Sequence, residues 1–470
     1  MSRKGIARGC MLILALGTLW AFLGSSLLPR RGATAEQELD ALESCAQFLQ
    51  MHASFGIERS LKVLAEAFPE DLPDTLEQLE FNIQHMSPSV LELFCSVELQ
   101  MYSLPIPELR SRNLRAQDML EHARLRKQER ELALMAEDWV YLEGLRADPL
   151  HAEEMKGLFD FQLALDRRQP WRVITSYVAM EYINLDPALL FLAICAGLIW
   201  WSLLLCFLPQ RPRWGFLLLS ICGIVLGAAS TLPTILSGMW MEGWLPVDKM
   251  GEFLDALLYH TLSVGFREEL CKLIFFIPLL PLIWKRSSLE VLVLAASVGL
   301  GFALEENLNY YRRSGVDGIV VGRFVSANVL HYCLTGVTGL ALWRALKQPS
   351  GWAGDSFVVL LMCIGVHGIY NALLSAPVPG FGDMSDFSGT ALIGAAFLFF
   401  RELEGNQSWS PITRSALFCW GVSLLFSLEL MLASLSLGFQ DAVEQCGNNA
   451  VASVFTAGIF LYLVRDPLGP

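Results

Sequence analysis

Charge is scarce in this chain of 470 residues: 17% are Asp, Glu, Lys or Arg against 54% hydrophobic, with a mean hydropathy of +0.44. Soluble domains carry about 25% charged residues, so a soluble globule is excluded at the outset. A basic excess is also missing. The net charge is −13, and no part of the chain has the positive surface that phosphate neutralisation needs, so no nucleic-acid partner is expected. The acidity is itself local: residues 36–186 hold 28 acidic and 14 basic residues, and the remainder holds 19 and 20. A disulfide scaffold is lacking too, although the chain has 11 cysteines. Cys195, Cys206, Cys222, Cys271, Cys333, Cys363 and Cys419 lie in apolar runs, where they read as small packing residues. Cys45 and Cys95 fall in the acidic segment and are candidates for a pair, which sequence cannot bring together by itself. The acidic segment has no internal repeat, low-complexity tract or metal-ligand spacing. Neither an H-E-x-x-H motif nor an inverted repeat occurs in the apolar part.

What is there is a series of long apolar runs. Arg3, Lys4 and Arg8 precede an uncharged stretch from Gly9 to Leu28, and Pro29-Arg30-Arg31 follows. Twenty residues at about 1.5 Å each span a hydrocarbon core, so residues 1–35 read as an uncleaved signal anchor, with a signal peptide ending near Ala33-Thr34-Ala35 as the alternative. Residues 36–186 read as a translocated helical domain of ordinary composition, with Glu108 to Leu145 as its longest helix. From residue 187 to 470 the runs 188–208, 214–235, 253–284, 289–310, 320–346, 354–376, 381–400, 413–435 and 443–464 are of membrane length. With the first, they make about ten spans in an all-α, polytopic helical membrane protein whose constant partner is the lipid bilayer. The run 253–284 is too long for one straight crossing. It is expected to begin as an interfacial or re-entrant piece with Asp255 and His260 and to become a span near Ser263. Bases at Arg211, Arg213, Lys285, Arg286, Arg344, Lys347, Arg401, Arg414 and Arg465 place both termini in the cytoplasm and residues 36–186 outside. Arg312, Arg313, Lys249 and Arg323 run against that scheme.

Four spans break the apolar pattern, and an ionisable group in a span must be paired, hydrated or neutralised. The first has Arg267-Glu268-Glu269-Leu270-Cys271-Lys272, and the next has Phe302-Ala303-Leu304-Glu305-Glu306-Asn307. The third has His331, with Thr335 and Thr338 on its helical face, and the fourth has His367 and Asn371 four residues apart. Counted from the cytoplasmic ends of their runs, Glu269, Glu306, His331 and His367 rise about 22, 25, 20 and 15 Å, so all four fall in or near the outer half of the membrane. Adjacent glutamates cannot both face one partner on an ideal helix, and Lys272 is spaced to compensate one of them.

A carboxylate crowded into a low-dielectric site can take a proton from water, and imidazole or amide groups can hold the oxyanion that then forms at a carbonyl. Two histidines and a carboxylate also suit zinc, with Glu269, Glu306, His331 and His367 as the ligand set. No cofactor is preferred, and zinc is the alternative. Proton or ion transport is a third reading of the same residues, and interhelical packing of His331, His367, Asn371 or Thr335 is a fourth.

Glu268-Glu269-x-x-Lys272, then Phe302-x-x-x-Glu306-Asn307, His331 and His367-x-x-x-Asn371 together resemble the PrsW family of polytopic intramembrane proteases. The resemblance covers about residues 210–380. The wider group takes in the CAAX prenyl proteases and bacteriocin-processing enzymes, but Glu306 stands where the CAAX enzymes have histidine, so prenyl-peptide processing is the weaker match. The resemblance implies water activated by Glu268 or Glu269, with Glu306 and His331 assisting, His367 and Asn371 stabilising the oxyanion, and Lys272 and Asn307 supporting them. It further implies a membrane-anchored protein substrate in a bacterial cell membrane, of a regulatory kind such as an anti-sigma factor. Family members are described as both glutamic and metallo enzymes, so the question of a metal stays open at this point.

Overall fold

The computed structural model describes residues 3–27, 133, 138–147, 158–182, 185–241, 253–314, 319–376, 387–403 and 413–465. Those residues are helical with no strand among them, as the apolar runs require: without water, a spanning backbone satisfies its polar groups within the helix. Contacts divide the chain into two compact units, residues 1–30 with 185–470, and residues 31–184.

After α1 (Arg3–Leu27), which belongs to the first unit, the described helices of the second unit are α2 (Trp139–Ala147), α3 (Leu158–Asp166) and α4 (Pro170–Tyr182). Ala133, Leu142, Leu145 and Leu163 form its small core, Phe161 meets Tyr177 at 5.8 Å between ring centroids, and Arg167 pairs with Glu143 at 2.7 Å. Cys45, Cys95, the Ala33-Thr34-Ala35 triplet and most of the Glu108 to Leu145 helix lie outside the described residues.

In the first unit, α1 (Arg3–Leu27) leads to α5 (Pro187–Cys206), α6 (Trp214–Ala229) and α7 (Thr231–Met241). Asp186 starts α5 by accepting from the Ala188 N–H at 2.8 Å, ahead of a proline in the first turn. Next come α8 (Phe253–Tyr259), a π-helical turn (His260–Gly265), α9 (Phe266–Phe276), a 3₁₀ turn (Ile277–Leu279) and α10 (Leu280–Ile283). Tyr259, Gly265 and Phe266 all keep right-handed helical dihedrals, so 253–276 is one helical run. The expected change of character near Ser263 coincides with a π turn inside this run. The chain continues through α11 (Ser288–Ser314), α12 (Ile319–Val325), α13 (Ala327–Lys347), α14 (Pro349–Ser375), α15 (Ser388–Leu403), α16 (Arg414–Leu437) and α17 (Phe439–Val464).

Among the described residues, seven helices are long and apolar enough to cross a membrane, or eight if α17, bent by 51° after Val451, counts as one. This is fewer than the ten expected. The run 253–284 is divided and carries Asp255, Arg267, Glu268, Glu269 and Lys272, and α15 has 16 residues, about 24 Å of helix.

Helices α11 and α13 sit at the centre, buried on most sides. Glycine makes that possible at Gly299 and Gly301, two residues apart and so on opposite faces of α11. A Cβ at Gly301 would strike the Ile224 carbonyl of α6, and one at Gly299 would strike the His331 carbonyl of α13. Trp200 of α5 ties the other side together: its ring lies 5.0–6.1 Å from those of Tyr332, Phe324, Phe418 and Phe460, and its Nε1–H donates to the Phe324 carbonyl at 2.8 Å. Along α16, α1 packs with Gly9 against the Trp420 indole and Gly17 against Ser427, whose hydroxyl donates to the Ile13 carbonyl at 3.2 Å. The opposite side of α1, including Met11, Leu12, Leu16 and Trp20, is exposed and apolar, as a lipid-facing side would be.

Candidate active site

The site begins with the close approach of the π turn to α14. Gly368 has no side chain where Thr261 sits, and Gly265 lies under the Ile364 carbonyl, so the two backbones come together. His260 Nε2 and Ser375 Oγ, 2.8 Å apart, join the same two segments nearer the end of α14. That packing carries His367 of α14 to the first turn of α9, where Glu268 and Glu269 lie. His367 Nδ1 is 2.8 Å from Glu269 Oε1, and His367 Nε2 is 3.6 Å from Glu268 Oε2.

Lys272, fully buried, reaches back along α9. Its ammonium donates to Glu269 Oε1 at 2.7 Å, lies 3.5 Å from Glu268 Oε2, and sits 4.1 Å from the centre of the Phe302 ring. The adjacent glutamates thus share both Lys272 and His367, contrary to expectation. Lysine stands four residues from one and three from the other, and its long stem lets one ammonium address both.

The same ammonium is 2.8 Å from His331 Nδ1, and His331 Nε2 is 2.8 Å from Glu306 Oε2. An ammonium has only donors, so Nδ1 accepts and the ring hydrogen is on Nε2, donating to Glu306. By the same reasoning His367 donates from Nδ1 to the Glu269 carboxylate and directs its Nε2 lone pair towards Glu268. Glu306 also accepts from Arg323 Nη2 at 2.7 Å, Arg323 Nε donates to Asn307 Oδ1 at 2.7 Å, and Asn307 Nδ2 donates to Asn328 Oδ1 at 2.6 Å. The Arg323 guanidinium covers the Tyr310 ring at 3.7 Å.

Three carboxylates therefore face two cations, and they differ in how they are held. Glu269 is 1% exposed and bonded to Lys272 and His367; Glu306 is bonded to Arg323 and His331. Both Glu268 and Glu269 leave Oε2 without a hydrogen bond, but Glu269 is bonded through Oε1, whereas the Glu268 side chain, 12% exposed against 27% for Glu306, stands 3.5 Å from Lys272 and 3.6 Å from His367. Of the remaining expected residues, Asn371 is half-buried, one turn after His367, and makes no hydrogen bond among the described residues. Thr338 donates back to the Leu334 carbonyl at 2.8 Å and takes no part in the cluster, and Thr335 packs against Gly299.

Three donors converge within 4.8 Å of one another: one atom each from Glu268, His331 and His367, all buried residues. This is not the set of four expected from the sequence. Glu269 and Glu306 stand behind the two imidazoles as their hydrogen-bond partners, the position that orients a metal-ligating histidine. Two imidazoles and a carboxylate suit a zinc-type ion in kind and spacing. Lone pairs are ready on Glu268 and His367, whereas both nitrogens of His331 are engaged, by Lys272 and Glu306.

Arg323, Asn328 and Glu429 were not singled out as site residues from the sequence. Arg323 had left a trace, as a base on the wrong side of the membrane by charge count; its partner is an acid within the span, and it says nothing about topology. Asn328 lies one turn before His331, and no spacing marked it.

Buried acids, imidazoles and a lysine from α9, α11, α13 and α14 thus form one polar centre inside a helical membrane protein. Residues 212–400 match the family model described as PrsW family intramembrane metalloprotease. The match contains all four motifs and leaves α1–α5, α16 and α17 outside it. No curated protein and no solved structure matches the chain.

Proposed function

We propose that this chain is an intramembrane endopeptidase that cuts membrane-tethered protein substrates near the outer leaflet, with Glu268 as the group that activates water. One observation carries this reading. Glu268 Oε2 makes no hydrogen bond, as is also true of Glu269 Oε2, but it alone of the two faces His367 Nε2, at 3.6 Å, while the opposite nitrogen of that ring is held by Glu269 Oε1. Two acceptors aimed at one place favour a water between them. Its O–H bond breaks as the proton passes to Glu268 and from there to His367 Nε2, and the hydroxide oxygen bonds to the scissile carbonyl carbon. A protonated His367 then donates from both nitrogens, to Glu269 and to the oxyanion, and the Asn371 amide on the same helical face supplies a second donor. When the C–N bond breaks, the same proton goes to the departing amine. Lys272 holds Glu269 in place and balances the pair of glutamates, while Glu306, backed by Arg323 and Asn307, orients His331.

A second reading rests on the convergence of Glu268, His331 and His367 and on the family description. These three residues would hold a zinc-type ion, which when bound would supply Lewis acidity to water or to the carbonyl. The chain's own residues would keep the roles given above, with Glu269 and Glu306 fixing the imidazoles.

Residues 36–186 are assigned the role of an extracytoplasmic module that selects or senses substrates. Helix α1 is assigned as a retained anchor, a reading supported by its packing on α16. To test the main assignment, membrane proteomes of cells carrying wild type and Glu268→Gln are compared and new chain ends mapped. Membrane-anchored substrates should accumulate uncut in the variant. Identical sets of cut ends would remove the peptidase reading and leave ion-dependent flux in liposomes as the assay for a transporter.

A further inference from the structure

Glu429 lies on α16, outside the segment that matches the protease family, and it is a glutamate buried to 1% exposure in a membrane helix. The mechanism above makes no use of it. Its Oε1 accepts from the Val320 N–H at 2.6 Å and its Oε2 from the Val321 N–H at 3.3 Å. These are among the first N–H groups of α12, which have no acceptor within their own helix and are costly to leave unbonded in a bilayer.

We propose that Glu429 is a positioning residue of the active site: by holding the start of α12, it sets Arg323 against Glu306 and so fixes the Glu306–His331 pair. This inference rests on the active-site reading above. Arg323 stands on α12 one turn beyond the two N–H groups that Glu429 holds. It donates from Nη2 to Glu306 and from Nε to Asn307, both at 2.7 Å, across to α11. The seven residues of α12 run into α13 through Ser326 alone, so its far end is fixed by α13 as well as by Trp200, and its beginning depends on a contact from another helix. Glu429 of α16 holds the beginning, and Trp200 of α5 donates to the Phe324 carbonyl near the end. If the first pin is lost, the beginning of α12 can swing about the Ser326 joint, and Arg323 leaves Glu306. His331 Nε2 then faces a carboxylate with no second partner to hold it.

The test is a double-mutant cycle on the full chain in proteoliposomes, read with an internally quenched peptide of apolar sequence. Glu429→Ala should lower kcat by about 10- to 100-fold at unchanged KM, the loss typical of removing an outer orienting partner. In an Arg323→Lys background, where the guanidinium fork is already gone, Glu429→Ala should cost less than about 2-fold, because interacting residues are not additive. Glu429→Gln keeps one carbonyl acceptor for Val320 and should fall between wild type and Glu429→Ala, which covers the case in which the alanine variant does not fold. An equal loss in both backgrounds, or folded variants with full kcat, would overturn the inference. A Glu268→Gln control separates the two failures. If that control still cleaves, the active-site reading itself has failed; if it is inactive while Glu429→Ala is unaffected, only the role of Glu429 is lost.

Discussion

Replacing Lys272 with methionine keeps most of the side chain's volume and deletes one charge, so it isolates what the buried ammonium does. In the protein that charge is 2.7 Å from Glu269 Oε1 and 3.5 Å from Glu268 Oε2, with no exposure to water. At an effective dielectric of about 20, unit charges at these separations attract by about 6 and about 5 kcal/mol. Desolvation of the lysine offsets part of that, and removing one partner of a buried pair generally costs about 3–5 kcal/mol. We expect Lys272→Met to destabilise the fold by that amount, measured by reversible unfolding in mixed micelles. Adding Glu269→Gln removes the carboxylate left without its cation and should restore about 2 kcal/mol, as a coupling energy between contacting groups. A Lys272→Met protein within about 1 kcal/mol of wild type would refute the reasoning, since no buried pair of this geometry loses its cation so cheaply. So would a double variant whose cost is the sum of the two single ones.

Three further outcomes follow from the same geometry. Gly301→Ala should destabilise by about 1–3 kcal/mol because its Cβ meets the Ile224 carbonyl, whereas Gly365→Ala, with open space at its Cβ, should be neutral or slightly stabilising in the same unfolding assay. Peptide cleavage should survive exhaustive chelation if Glu268 alone activates water; loss of activity that zinc restores, with one zinc bound per chain, would assign that step to the metal reading. Deleting residues 36–186 should change which membrane proteins are cut while a generic peptide is still cleaved; loss of both, with the protein still folded, would count against a role in substrate selection.

The helical membrane body was legible because apolar runs of membrane length have few other uses, and most of their boundaries fall within a few residues of the observed helices. The π turn was not legible. Its sequence, His260 to Gly265, has ordinary helical composition, and its reason is the approach of α14 through Gly265 and Gly368, which only packing reveals. In the site, motif order and spacing picked out Glu268, Glu269, Lys272, Glu306, His331 and His367, and all six come together. Their partition was hidden. Whether a glutamate is bonded by two partners or only stands near them depends on which side chains from other helices reach it. Arg323 and Glu429 were hidden for a related reason: each acts across helices, on Glu306 and on the start of α12, and neither pairing leaves a fixed spacing in the sequence.

The central claim is that Glu268 activates the water that cuts the peptide bond. The direct measurement is cleavage of an internally quenched peptide in proteoliposomes containing ¹⁸O-labelled water, with wild type and Glu268→Gln compared at equal folded protein. The account predicts two fragments from wild type, with label in the new C-terminal carboxylate, and no cleavage above background from Glu268→Gln. Labelled product from the variant at a rate near that of wild type would contradict it.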